Sequence, residues 1–346
     1  MKVHIHFPFQ DGPWGGGNQF LKALKVYFAQ AGQYVESPRE ADVVLFNSHH
    51  DLAPLLDLSR EIQAVLVHRV DGPIFRVRGK GVLVDRLIFR ANRLLSDGTV
   101  FQSQWSRENN LGLGMKPSLD TVITNAPDGS LFHARGRADF AGSGRIRIIA
   151  ASWSPNWGKG FETYQWLDRN LDFSRYAMTF VGNSPVEFKN IQRLEPLPSA
   201  ELAGQFRDHD VFLTASRNDP CSNTLIEAMH CGLPALGLNS GGHPEIIGSR
   251  GFVFDLPEQV PALLEQVARN RESLLAGPGL PDMEEIGARY EEFFATVCSQ
   301  GKTRPRPGSR WTATMAEFRF RLLGHGAQRR TLLGRIMGAV ADRVWS

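Results

Sequence analysis

Two doubly wound α/β domains in series are the fold class that the sequence predicts, and three observations predict it. At 346 residues the chain is too long for one ordinary core and fits two domains. Short apolar runs alternate with helix-periodic stretches in both halves, the pattern of parallel sheets covered by helices on both faces. Around residues 134–144 (ARGRADFAGSG) that periodicity stops and Gly, Ala and charge take over, before the alternation restarts. The expected organisation is a first domain over 1–135, a second over 145–300, and a basic helical tail over 301–346.

In the first half, Val3–Phe7 reads as a strand, Gly12-Pro-Trp-Gly-Gly-Gly17 as a turn, and Phe20, Leu21, Leu24, Tyr27 and Phe28 as one face of a helix. Val43–Asn47, Ala64–His68, Phe101–Trp105 and Thr121–Asn125 continue the series. In the second half, Arg145–Ala151, Ala177–Gly182, Asp210–Ala215 and Ala235–Leu238 are strand candidates with helices between them. The tract Met283–Val297 is expected to be the closing helix of the second domain. In such folds ligands bind beyond the carboxyl ends of the strands.

Hydrophobic content of 42% and charged content of 22% are those of a soluble globular protein, and no apolar run reaches the ~20 residues of a membrane span. Met1–Phe7 alternates like a first strand, with no signal-peptide core behind it. The three cysteines (Cys221, Cys231, Cys298) lack metal-ligand spacing, so a reduced cytoplasm is the expected compartment. Net charge is +3, yet residues 302–346 alone carry +8, leaving −5 for residues 1–301. Basic character thus belongs to the tail, and no nucleic-acid partner is expected. Leu332, Leu333, Ile336, Met337, Val340 and Val344 form an apolar stripe flanked by arginines. Residues 311–346 therefore suit an anionic membrane surface, the inner face of the membrane, although packing on the first domain or on a partner is the alternative.

Three segments are candidates for chemistry. Gly15-Gly16-Gly17 opens a helix after a strand, where backbone N–H groups can approach an oxyanion closely. Lys159-Gly160 follows the first strand of the second domain. The stretch Asp219–Glu245, DPCSNTLIEAMHCGLPALGLNSGGHPE, reads as a loop, a helix containing Glu227, a Gly-Leu-Pro break, a short strand and a glycine turn. Two carboxylates eight residues apart, one before the helix and one within it, can contact different parts of one bound molecule. Asp208-His-Asp210 has the spacing of a metal motif but precedes a buried strand, so it is expected to be a strand-entry turn, and no metal is expected.

Asp219–Glu245 resembles the donor site of family 4 glycosyltransferases of the GT-B fold, whose pattern is Glu-x7-Glu, then Ala-x-x-x-Gly-x-Pro, then Gly-Gly-x-Pro-Glu. The chain matches at Glu227, Ala228, Gly232, Pro234, Gly241, Gly242, Pro244 and Glu245, and departs at the first acid, Asp219. A second departure is Ser152-Trp153, which stands where the family carries Gly-Arg. The resemblance implies a retaining transferase that moves a sugar from a nucleotide diphosphate sugar to a hydroxyl acceptor, a glycan or lipid-linked molecule in polysaccharide or glycolipid synthesis, with no cofactor required. It implies that Lys159 and the amides of Gly15, Gly16 and Gly17 meet the diphosphate, that Glu227 binds the ribose hydroxyls, and that Asp219 faces the sugar. Ser152, Ser154 and Asn156 offer neutral hydrogen bonds in place of the arginine, and Ser222, Asn223 and Thr224 lie where the family's phosphate donors lie. His68-Arg-Val-Asp71 resembles the family's acceptor-side His-Asp segment in an ambiguous register, so both His68 and Asp71 are candidates, with His68 alternatively a core histidine. Asn125-Ala-Pro-Asp128 with Phe132 resembles the interdomain Asn-Gly-Val-Asp segment. A non-catalytic nucleotide or glycan binder and a nucleotide-sugar epimerase are the rival readings.

Overall fold

The computed structural model of the protein describes residues 1–12, 16–79, 81–138, 144–277 and 279–303. Gly15 and the segment 304–346, with its proposed membrane contact, lie outside the described residues.

The first domain runs β1 (Val3–His6), α1 (Gly16–Gln30), β2 (Val43–Asn47), α2 (Leu52–Leu58), β3 (Val65–Val70), α3 (Ile74–Arg78), α4 (Val82–Leu95), β4 (Gly98–Phe101), α5 (Gln104–Gly112) and β5 (Asp120–Val122). Its strands pair in parallel in the order β1-β2-β3-β4-β5. Val3 also bridges Tyr34 on the free edge of β1. From β1 the chain therefore moves one way to Tyr34 and the other way to β2. That reversal is a topological switch point, and the Gly16 start of α1 sits at it. Strand β3, Val-Leu-Val-His-Arg-Val, is buried throughout, as β-branched runs in a sheet covered on both faces are.

The second domain runs β6 (Ile146–Ser152), α6 (Phe161–Asn170), β7 (Tyr176–Gly182), β8 (Gln192–Leu194), α7 (Ser199–Arg207), β9 (Val211–Thr214), α8 (Asn223–His230), β10 (Ala235–Leu238), α9 (His243–Ile247), β11 (Gly251–Phe254) and α10 (Val260–Leu275). Its parallel order is β11-β10-β9-β6-β7-β8, with the switch between β6 and β9. Ser152 ends one of these strands and the Asp219 loop follows the other. Helices α6 and α10 cover one face, and α7 and α8 the other. Both halves are thus doubly wound, as the sequence predicts.

One expectation changes. Helix α11 (Met283–Gln300) has the expected length and periodicity but does not close the second domain. Ile286, Tyr290, Phe293, Phe294 and Val297 pack with Phe20, Leu24 and Phe28 of α1 over β1, β2 and β3. Without α11 the part of that face not covered by α1 would be wet. Each of these five side chains contributes about 1.5–3 kcal/mol by leaving water, which decides where the helix goes. Beyond it, Lys302 Nζ donates to the Ile62 carbonyl at 3.0 Å and the Thr303 amide to Asp97 Oδ1 at 3.0 Å, so the chain ends its described course on the first domain. Among the described residues no helix is long and apolar enough to cross a membrane.

Candidate functional site

The two switch points face each other across the interdomain seam. On the second-domain side, Lys159 ends a one-turn 3-10 segment, Trp157–Lys159, capped by Asn156. Its ammonium donates to Asp219 Oδ2 at 2.9 Å. Gly160 follows at φ 89°, and a Cβ there would fall 2.2 Å from the Ala215 carbonyl oxygen, so only glycine lets the Lys159 loop lie this close to β9. Burial alone would raise the Asp219 carboxyl, but Lys159 and His243 pull it below its ordinary value, so the acid is ionised. Ser216 Oγ adds a bond to the same oxygen at 3.4 Å, and His243 Nε2 lies 3.3 Å from Ser216 Oγ. Sequence reasoning did not single out Ser216 or His243, since a buried serine and histidine behind a carboxylate leave no spacing signature.

Glu227 is buried on α8 together with Leu225, Ile226, Ala228 and Met229. Its carboxylate has no protein partner among the described residues, and burial pushes its pKa up to about 7. It lines an open cleft of about 580 Å³ with Gly16, Ser152, Trp153, Asn223 and Thr224. Gly16 belongs to the first domain, and a Cβ there would overlap the Asn223 side chain, 2.7 Å from its Cβ. Glycine at 16 therefore lets the start of α1 and the start of α8 touch. Gly17 is unhindered, with open space around its Cα.

Of the neutral candidates, Thr224, Ser152 and Asn223 reach this cleft. Ser152 Oγ donates to the Ser154 carbonyl at 3.0 Å. Ser154 Oγ accepts the Asn156 amide, and Asn156 Oδ1 accepts the Gly158 amide at 2.9 Å. Ser154 and Asn156 thus serve their own loop and do not line the cleft. Ser222 is the buried N-cap residue of α8, with no capping bond from its side chain. Trp153 forms part of the cleft wall, whereas Trp157 stands edge-on to Phe161 at 6.4 Å.

On the first-domain side, Asp71 accepts bonds from Arg69 at 3.4 Å and from Gln102 Nε2. The adjoining Gly72 packs on Pro220, one residue from Asp219, so the two acids flank one seam. His68 is not brought there. It is fully buried and stacked on Phe46 at 4.2 Å, with Nε2 on the Ser48 carbonyl at 2.9 Å and Nδ1 facing Asn92 Nδ2 at 3.2 Å. Burial lowers its pKa to about 4. The expectation of His68 beside an acceptor gives way to a core histidine. Arg69 is likewise fully buried.

Three further bonds cross the seam. Glu245, the last residue of the Gly-Gly-x-Pro-Glu segment, accepts the Gln104 and Trp105 amides of α5 at 2.8 and 2.7 Å. Asn125 Nδ2 donates to Asn223 Oδ1 at 2.9 Å. Asp210, by contrast, lies away from the seam and accepts three bonds from Arg147, at 2.8 Å, 3.0 Å and 2.8 Å, as a strand-entry residue would.

Residues 169–271 match the family described as Glycosyl transferases group 1. No curated protein matches the sequence as a whole. Among solved structures, the chain is similar to HepE of Anabaena in complex with UDP-glucose, at 13% identity and a TM-score of 0.61, over 87% of this chain and 98% of that one. Sucrose-phosphate synthase from Thermosynechococcus elongatus aligns at 15% identity and a TM-score of 0.59, over 85% of this chain and 83% of that one. The catalytic domain of starch synthase IV from Arabidopsis thaliana, bound to ADP and acarbose, aligns at 14% identity and a TM-score of 0.54, over 83% of this chain and 79% of that one. The chain has the GT-B fold, and its second domain carries the family match across Asp219–Glu245.

Proposed function

We propose that this GT-B protein is a retaining glycosyltransferase that moves a sugar from a nucleotide diphosphate sugar to a hydroxyl acceptor. The observation that carries the reading is the convergence at one seam. An unpartnered buried acid, Glu227, lines the cleft, and a lysine–aspartate pair, Lys159–Asp219, lies at the same interdomain seam, next to the Pro220–Gly72 contact. The starts of α1 and α8 come together between the two domains.

In this reading the diphosphate meets the N-terminal amides of α1 and α8, where unpaired N–H groups and the positive ends of two helix dipoles favour an anion. Lys159 adds the full cation. The ionised Glu227 accepts two hydrogen bonds from the ribose diol, and Asp219 faces the sugar. As the glycosidic bond breaks, its electrons pass to the diphosphate oxygen, and the acceptor hydroxyl oxygen attacks the same face of the sugar as the leaving group departs, its proton passing to that diphosphate oxygen. Asp71 lies on the acceptor side of that face. The basic, apolar-striped segment 311–346 supports an acceptor presented at an anionic lipid surface, as in polysaccharide or glycolipid synthesis.

A thermal-shift screen against a panel of nucleotide sugars tests the reading, because a ligand that binds only the folded state raises Tm. A nucleotide sugar that stabilises the protein and slowly releases free sugar without acceptor is the expected result. Conversion of the donor to another nucleotide sugar points to an epimerase. Stabilisation with no turnover in any acceptor mixture points to a binder.

A further inference from the structure

Arg69 is the largest fully buried side chain among the described residues, and the mechanism above gives it no contact with a substrate. Its guanidinium lies over the Phe20 ring at 4.7 Å, donates from Nη1 to Asn47 Oδ1 at 2.6 Å, and from Nη2 to Asn125 Oδ1 at 2.7 Å. Arginine only donates. The amide of Asn125 therefore has one possible orientation: oxygen to Arg69, nitrogen outward. That nitrogen donates to Gln102 Oε1 at 3.2 Å and, across the seam, to Asn223 Oδ1 at 2.9 Å. The second amide is fixed in turn, with its oxygen bound and its Nδ2 left to face Gly16 and the donor cleft.

We infer that Arg69 is a positioning residue for the donor: through Asn125 it locks Asn223 so that an N–H, never a carbonyl oxygen, is presented to the diphosphate. The chain of three polar groups also carries charge. Each donor in it is polarised by the one behind, and although Asp71 at 3.4 Å shares the charge of Arg69, the two bonded amides in series make Asn223 Nδ2 a stronger donor than an isolated amide. This supplies part of what the absent arginine after β6 would give, while the cation itself stays dry. The inference rests on the diphosphate reading of the cleft.

Asn125→Asp tests it. The carboxylate still accepts from Arg69, so the buried cation keeps a partner, but it cannot donate, and Asn223 must turn its oxygen toward the cleft. Titration calorimetry with UDP, GDP and ADP, and with the matching nucleosides, is the readout. For the diphosphate that wild type binds best, affinity should fall at least tenfold in Asn125→Asp, while the nucleoside changes less than twofold. Asn223→Asp, which keeps the bond from Asn125 but adds an oxygen at the cleft, should show the same split. Equal losses for diphosphate and nucleoside in both variants, or no loss in either, overturns the inference. Wild-type protein that binds none of the three diphosphates overturns the donor site itself.

Discussion

The Lys159 ammonium and the Asp219 carboxylate meet at 2.9 Å, in a loop pair drawn together by Gly160. Asp219 is nearly buried and Lys159 about one-third exposed, so the pair keeps the acid ionised while leaving part of the cation accessible. A cation held in place before an anion arrives needs no reorganisation as charge develops, and one preorganised donor is worth about 3–4 kcal/mol of barrier. Lys159→Ala should cut turnover at least a hundredfold, with circular dichroism unchanged. Normal turnover would remove Lys159 from the mechanism. In the same variant the Asp219 carboxyl loses the partner that offsets its burial, so its pKa should rise, as carboxyl NMR titration would show.

Glu227 predicts a pH dependence. Burial holds its pKa at about 7 in the folded chain, against an ordinary value of 4.5. Between those values the folded state binds the extra proton, so the unliganded protein loses stability as pH rises through that window, by about 3 kcal/mol in all. Above about pH 7 the loss is complete and the curve levels. Glu227→Gln should flatten the slope, measured as Tm against pH. It should also erase the preference for ribonucleotides over 2′-deoxyribonucleotides that the wild-type carboxylate is expected to give.

Gly16→Ala should abolish tight donor binding without unfolding the chain. The backbone at 16 is one that alanine adopts, but the added methyl meets the side chain of Asn223. Relief requires the starts of α1 and α8 to part, which opens the diphosphate site. A drop of at least tenfold in nucleotide affinity is expected by calorimetry. Wild-type affinity would mean that Gly16 does not border the ligand.

Glu245 caps α5 from the opposite domain, and Glu245→Ala should leave two helix-end amides without that acceptor. The cost is that of losing a helix cap, about 1 kcal/mol. Hydrogen exchange should accelerate at Gln104 and Trp105 while the amides of α8 stay protected. Unchanged exchange at those two amides would show that the cap does not form in solution.

Much of this architecture is legible in the sequence, because parallel strands buried on both faces must be largely apolar runs, and β2 and β9 are. The Asp219–Glu245 spacing was legible because Gly241 and Gly242 there lie against the Asp219 and Pro220 backbone, where any side chain would collide. What escaped is what depends on packing between distant segments. The stripe of α11 says only that one face is apolar; that it lies over β1 to β3 follows from the bare face of another domain. His68 and Arg69 sit in a strand whose burial is plain, yet nothing local tells a core histidine from one facing an acceptor. The Arg69–Asn125–Asn223 chain draws on three segments spread over more than 150 residues, and no local pattern joins them.

The return of α11 to the opening sheet has a consequence for anyone wishing to divide the molecule. A cut between 138 and 144 does not yield two autonomous pieces, since the amino-terminal fragment would carry an oily wall that only the far end of the polypeptide can roof. The two fragments should be insoluble or unstructured apart and recover fold and ligand binding when co-expressed, which makes the protein a natural split reporter whose reassembly rebuilds the seam.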